Sequence, residues 1–380
     1  MKGIEVPERT EDFTADPVEL FFDLAFVFAF SQLVARLVHD PDWAGAGETA
    51  LLFWLIWLPW SQFTWAANAV SGNGRGVRVY FLVATAASMP MAASITTAFD
   101  AGGTTFAISI CVIMAMGLST MVLSVGSLDE QRGAVINWTI RTFAAMAVLL
   151  VGSFLDGGAR IAVWILASAI ILIAMASAGH DDWLIRGGHF AERHGLILII
   201  ALGEVIVAIG LPVVLALQDG DGLEASTTIA LVASGAFAGL MWWAYFDRVS
   251  PALEHRVESI EEPDERGRYA RDIYTFLHAV IVAGVLLAAA ALEEITLHPT
   301  EEVPDRFRLM LFAGIGLTLL GVVACAWRAF HAVARERISA VVAIGLVIGV
   351  TASVDGILVI IAIDVVLAAM LALEHARIER

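Results

Sequence analysis

The chain holds 380 residues, 59% apolar and 16% charged, with 39 acidic against 22 basic side chains and a net charge of −17. A soluble domain needs about one quarter charged residues to form its aqueous shell, so the composition excludes a soluble globule, as well as a collagen, a disulfide scaffold and a disordered chain. The acidic balance argues against a nucleic-acid partner and leaves an all-α polytopic membrane protein in contact with a lipid bilayer.

An acidic stretch with Glu5, Glu8, Glu11, Asp12 and Asp16 precedes the first apolar run. A signal peptide would begin basic. Runs of about 20 mostly apolar residues predict membrane helices near 17–38, 47–70, 78–98, 104–125, 136–154 and 159–178. Six more follow near 193–216, 226–248, 271–293, 307–330, 338–354 and 356–375, the last two separated only by Asp355. The runs are continuously apolar, which excludes membrane strands.

Twelve spans divide into an N-terminal half at 1–178, a connecting loop at 179–192 and a C-terminal half at 193–380. Each half opens with a glutamate at its first span (Glu19, Glu192) and carries tryptophans late in its second (Trp60 and Trp65; Trp242 and Trp243). An even number of spans per half would make a duplication a pair of parallel six-helix repeats. Seventeen of the 22 basic residues fall on the side of the N terminus; Arg36, Arg160, Arg306 and Arg308 fall opposite, and Arg141 lies within a span. Arginine bias in short loops predicts that both termini are cytoplasmic.

Ionisable groups at membrane depth cost at least about 2.5–3.5 kcal/mol each, so each needs a partner or a purpose. Glu19 and Asp23 are four apart on one face of the first helix, and Asp23 lies about 9 Å into the span. The seventh span opens with His189, Glu192 and Arg193, and Glu204 follows three turns later, about 18 Å beyond Glu192 and near mid-bilayer. Asp247 returns to the cytoplasmic face at the end of the eighth. Asp272 and His278 start the ninth, and Asp364 lies midway along the last. Glu19, Asp247 and Asp272 are near enough to the interface to be solvated helix ends. Trp54, Trp57, Trp60 and Trp65 step along the second span as a packing stripe.

Three chemistries fit these groups. Glu19, Asp23, Glu192, Arg193, Glu204, Asp247 and His278 would bind a solute or protons and couple their movement. Asp23, His189, Glu192, Asp247 and His278 would alternatively hold a divalent metal that activates water. Ion pairs with Arg78, Arg141, Arg193 or Arg271 would simply hold helices together. No phosphate loop, nucleophile elbow or paired-cysteine motif is present, and no catalytic residue is assigned.

The stretches VELFFDLAFVFAFSQL at 18–33, HFAERHGLILIIALGE at 189–204, MWWAYFDR at 241–248 and RDIYTFLHAVIVAG at 271–284 resemble, in that order, the bacterial low temperature requirement A family. The resemblance extends over essentially the whole chain and implies a multi-pass protein of the bacterial inner membrane. It places Glu19, Phe22, Asp23, His189, Glu192, Arg193, Gly203, Glu204, Asp247 and His278 at motif positions and implies no settled molecular activity.

The expected function is a proton-linked secondary transporter or channel for a small solute or ion. Glu204 is expected to be its central carboxylate, and Asp23, Glu192 and His278 a relay whose charge Arg193 sets. The alternatives are a metal-dependent intramembrane enzyme acting on lipid, or a non-catalytic membrane sensor or assembly factor.

Overall fold

A computed structural model of the chain describes residues 15–68, 74–125, 132–177, 185–217 and 222–378. The acidic residues before Ala15 and much of the expected connecting loop, at 178–184, lie outside the described residues. Twelve helices occupy the twelve expected runs: α1 Pro17–His39, α2 Trp43–Asn68, α3 Arg75–Ala93, α4 Gly103–Val125, α5 Arg132–Ser153, α6 Gly157–Ser177, α7 Gly187–Leu217, α8 Ala225–Phe246, and, after two short helices, α11 His278–Leu297, α12 Asp305–Phe330, α13 Arg335–Val350 and α14 Gly356–Ile378. The short ones, α9 Val249–Glu258 and α10 Pro263–Ala270, fall between the eighth and ninth expected runs, and a π-helical stretch, Arg271–Leu277, joins α10 to α11. Among the described residues there is no β-strand; Glu302 and Asp355 form an isolated bridge.

Ten of these helical segments are long and apolar enough to cross a membrane. Two fall short for different reasons. The five tryptophans, Gln62 and Asn68 of α2 lower its apolar average. The 16 residues of α13 reach about 24 Å, less than the roughly 30 Å of hydrocarbon. The distribution of side chains is that of a protein in lipid. Arg193 and His278 are fully buried, while Ile140, Ile173, Val232 and Leu346 are exposed; in water the exposure of such apolar surface would be costly. The chain is thus an all-α polytopic membrane protein whose helices imply a bilayer around them.

The helices pack into two compact units. The first takes the chain up to Leu33 with Gly47–Leu196 and Glu254–Phe276; the second takes Val34–Ala46, Ile197–Leu253 and Leu277–Arg380. In the first, α3 to α6 pack as successive neighbours. Buried Arg160 fastens the turns between them, donating to the Leu155 carbonyl at 2.8 Å, to Ala98 at 3.0 Å and to Asp100 at 2.7 Å. Its charge satisfies carbonyls that the ends of helices leave without an intrahelical donor.

In the second unit α11 packs most extensively on α12, and α8, α13, α14 and α7 from Ile197 onward belong to it as well. Glycines bring the α11 and α12 backbones together: a Cβ on Gly284 would fall 2.6 Å from the Gly314 carbonyl oxygen, and one on Gly314 2.6 Å from the Ala288 nitrogen. The turn between α13 and α14 is longer than Asp355 alone. It spans 351–355 and is pinned where Gly356 and Ile357 donate their backbone N–H groups to the carbonyls of Glu301 and Pro299, at 2.9 and 3.0 Å.

Candidate functional site

The site begins at the start of α1. Asp16 caps the helix, its Oδ1 accepting from the Val18 N–H at 3.0 Å, and Pro17 takes the first helical position, where its missing N–H costs nothing. Glu19 reaches back to accept the Asp16 N–H at 3.3 Å, completing a capping box. One carboxylate oxygen thereby orders the helix start, next to the positive end of the helix dipole. The other turns inward. Glu19 is 3% exposed, so it is not a solvated helix end.

Glu19 Oε2 meets His189 Nε2 at 3.0 Å and Arg193 Nη1 at 3.6 Å. One turn further along α1, Asp23 Oδ1 accepts two bonds of 2.8 Å, from Arg193 Nη2 and from Trp60 Nε1. Four-residue spacing on both α1 and α7 sets the two pairs one above the other. Trp60 also lies beneath the guanidinium, whose carbon is 6.0 Å from the ring centroid, and against the His194 ring at 5.0 Å. His194 is held by its own turn, through Nδ1 and the Phe190 carbonyl at 2.8 Å.

Asp23 Oδ2, His189 Nδ1 and Arg193 Nε are buried without a hydrogen-bond partner. With Glu19 ionised, His189 must donate through Nε2, so its Nδ1 in the neutral ring is an acceptor. Two carboxylates against one guanidinium leave one negative charge uncompensated, and Asp23 Oδ2 and His189 Nδ1 are the two acceptors at which one proton would cancel it.

The other expected residues divide. Glu192, on the same turn of α7, is half-buried and accepts the Ala15 N–H at 2.6 Å. Glu204, three turns further along α7, belongs to the second unit and is buried. His278, also in the second unit, is buried and hydrogen-bonds the Tyr245 hydroxyl through Nε2 at 2.5 Å. Asp247 caps the end of α8 with a side chain 43% exposed, paired with Arg248 at 3.1 Å. It is a surface group. Arg78 pairs with Asp16 at 3.2 Å and Arg271 with Asp272 at 2.7 Å.

Three participants carry no sequence signal for their role. Trp60, read as part of a packing stripe, is a donor to Asp23. Thr275, in the π-helical stretch, receives two tryptophans of α2, Trp57 Nε1 on its carbonyl at 2.9 Å and Trp65 Nε1 on its hydroxyl at 3.0 Å. Arg337 of the second unit is 4% exposed and forks onto Glu374 at 2.7 and 3.0 Å, while also donating to the Ala244 carbonyl.

The candidate metal ligands do not fit a divalent ion. Asp23 and His189 face a guanidinium that already lies 2.8 Å from Asp23, and a dication beside it would meet like charge. Asp247 is paired on the surface, and among the described residues no group of three or more His, Cys, Asp or Glu side chains is placed to hold a metal.

A family model for the bacterial low temperature requirement A protein (LtrA) matches residues 14–372. The chain is also similar to an uncharacterized protein of Rhizobium meliloti (strain 1021), 27% identical over 330 residues that cover 83% of this chain and 78% of that one. No solved structure matches.

Proposed function

The chain belongs to the bacterial low temperature requirement A family, and we propose that it is a proton-linked secondary transporter or channel for a small solute or ion in the bacterial inner membrane, with both termini cytoplasmic. The observation that supports this reading is Asp23. One of its oxygens is fixed by Arg193 and Trp60, and the other is buried without a donor. A carboxylate arranged only for structure would have both oxygens satisfied.

In this reading Asp23 gains and loses the proton, His189 is the second acceptor, and Arg193 keeps the site within one charge of neutrality in either state. Glu19 holds His189 in the tautomer that leaves Nδ1 open. Glu192 lies on the approach from the start of α7. Glu204 and His278, buried in the second unit, and Asp247, on its surface, are further candidate proton- or solute-binding groups.

Asp23→Asn tests the role, because the amide oxygen can keep both bonds while its NH₂ stands in for the proton. In wild-type protein reconstituted in lipid, infrared difference spectra between acid and alkaline buffer should contain a protonated-carboxyl band that the variant lacks. Proton flux into liposomes under a pH gradient should fall with it, and Glu204→Gln should lower flux as well. An unchanged band and unchanged flux in Asp23→Asn would remove Asp23 from the mechanism.

A further inference from the structure

The first unit contains a cavity of about 50 Å³, room for roughly three to five water-sized volumes. It lies among α2, α4, α5, α6 and the stretch from α10 into the π-helical turn, and its walls are nearly all apolar. Three methionines, Met114, Met121 and Met175, form much of them, and such unbranched, polarisable side chains adapt to the shape of what they enclose. Ser61, Thr275 and Arg271 also reach this lining, but two of its side chains carry buried polar groups without a partner. Gln62 is 4% exposed, and both its amide oxygen and its amide nitrogen are buried without a partner. Trp138 lines the same cavity, and its indole N–H is buried without an acceptor.

A buried primary amide with nothing to bond is costly, and leucine at 62 would fill similar space without that cost. Gly117 leaves the amide its room: a Cβ there would lie 3.2 Å from Gln62 Cγ and Cδ. The one full charge in the lining, Arg271, is already paired with Asp272 at 2.7 Å and bonded to the Ala176 carbonyl at 3.0 Å. The unpartnered groups of the lining are therefore one acceptor and two neutral donors, in an otherwise largely apolar, compliant chamber.

We propose that this cavity binds a small uncharged molecule with an apolar body and a single hydrogen-bonding head, of the alcohol or primary-amide class, whose head is held between Gln62 and Trp138. The binding does not depend on proton coupling at Asp23. Thr275 lines the cavity and accepts from Trp57, whose ring lies 4.7 Å from that of Trp60, so a chain of contacts links the chamber to the charged cluster.

The test uses the full chain in lipid nanodiscs, a diazirine-bearing propanol small enough for the chamber, and the matching diazirine propane without the hydroxyl. Labelled residues are mapped by peptide mass spectrometry. The alcohol should label the α4 and α5 residues around Met114, Met121 and Trp138 more than the alkane does. Gln62→Leu should lower the alcohol's labelling there about fivefold, the worth of one ordinary neutral hydrogen bond, and leave the alkane's unchanged. Trp138→Phe should act in the same direction. Equal labelling by the two probes, no labelling of these residues, or alcohol labelling that neither variant lowers would overturn the assignment. Labelling that persists in Asp23→Asn would support a site independent of the proton reading, so the two can fail separately.

Discussion

Arg193 and Trp60 converge on the same oxygen of Asp23, each at 2.8 Å, while the other oxygen of that carboxylate has no donor. The asymmetry has a mechanical effect. Asp23 cannot rotate to satisfy its second oxygen without losing both bonds to its first, so the open acceptor is held in one direction.

The tryptophan should therefore contribute measurably to that constraint. Trp60→Phe retains most of the ring and removes the N–H. Because the bond is to a charged group in a buried place, its loss should cost about 1.5–3 kcal/mol. Denaturant titration of the purified protein in a mixed-micelle system would measure it, and Trp54→Phe, whose N–H has no partner, should cost far less.

The charged cluster should behave as a unit. Arg193→Gln leaves Glu19 and Asp23 buried beside each other with no cation, and breaking a buried pair in this way costs about 3–5 kcal/mol. The triple variant Glu19→Gln, Asp23→Asn, Arg193→Gln removes all three charges and should recover most of that loss in the same titration. If the triple variant were as unstable as the single one, shape and not charge would be what Arg193 supplies.

Most of the helices can be read from the chain because long apolar runs leave no alternative in lipid. The misplaced boundaries are instructive. The seventh helix starts at Gly187 and not at 193, because His189, Glu192 and Arg193 count against a span by their polarity although His189 and Arg193 are buried by partners on α1 and α2. Those partners are 170 residues away for both His189–Glu19 and Arg193–Asp23, and no periodicity carries a pairing across that separation. Glu19 and Asp247 look alike in the sequence as acidic residues at helix ends, yet one is buried and the other 43% exposed; only the packing of neighbouring helices distinguishes them. Gln62 escapes notice for another reason: without a charge, it raises no large membrane penalty.

The π-helical stretch has no compositional signature either, and its value lies in what it exposes. A π turn disturbs the regular pairing of carbonyls, and here the Thr275 carbonyl accepts from Trp57. Thr275→Val leaves that bond and removes only the hydroxyl that accepts from Trp65, so it should cost about 1 kcal/mol. Trp57→Phe should cost more, about 1–3 kcal/mol, because it orphans a buried carbonyl. A thermal unfolding series on the two variants would rank them.

The glycines of α12 offer a matched comparison within one helix. Gly314→Ala drives a methyl group to 2.6 Å from the Ala288 nitrogen, and overpacking of this kind typically costs about 1–3 kcal/mol. Gly316→Ala meets nothing within 4 Å and should be neutral or slightly stabilising, by up to about 1 kcal/mol from helix propensity. Unfolding of the two variants under identical conditions checks both signs at once.

The backbone approach at Gly284 and Gly314 also bears on temperature. Within a bilayer no water is expelled when two helices meet, so their association comes from close fit and dispersion rather than from the hydrophobic effect. Water-driven burial loses strength as a solution is cooled. A seam made of backbone against backbone has no such term to lose, and the α11–α12 pair is accordingly a junction whose grip does not fade in the cold.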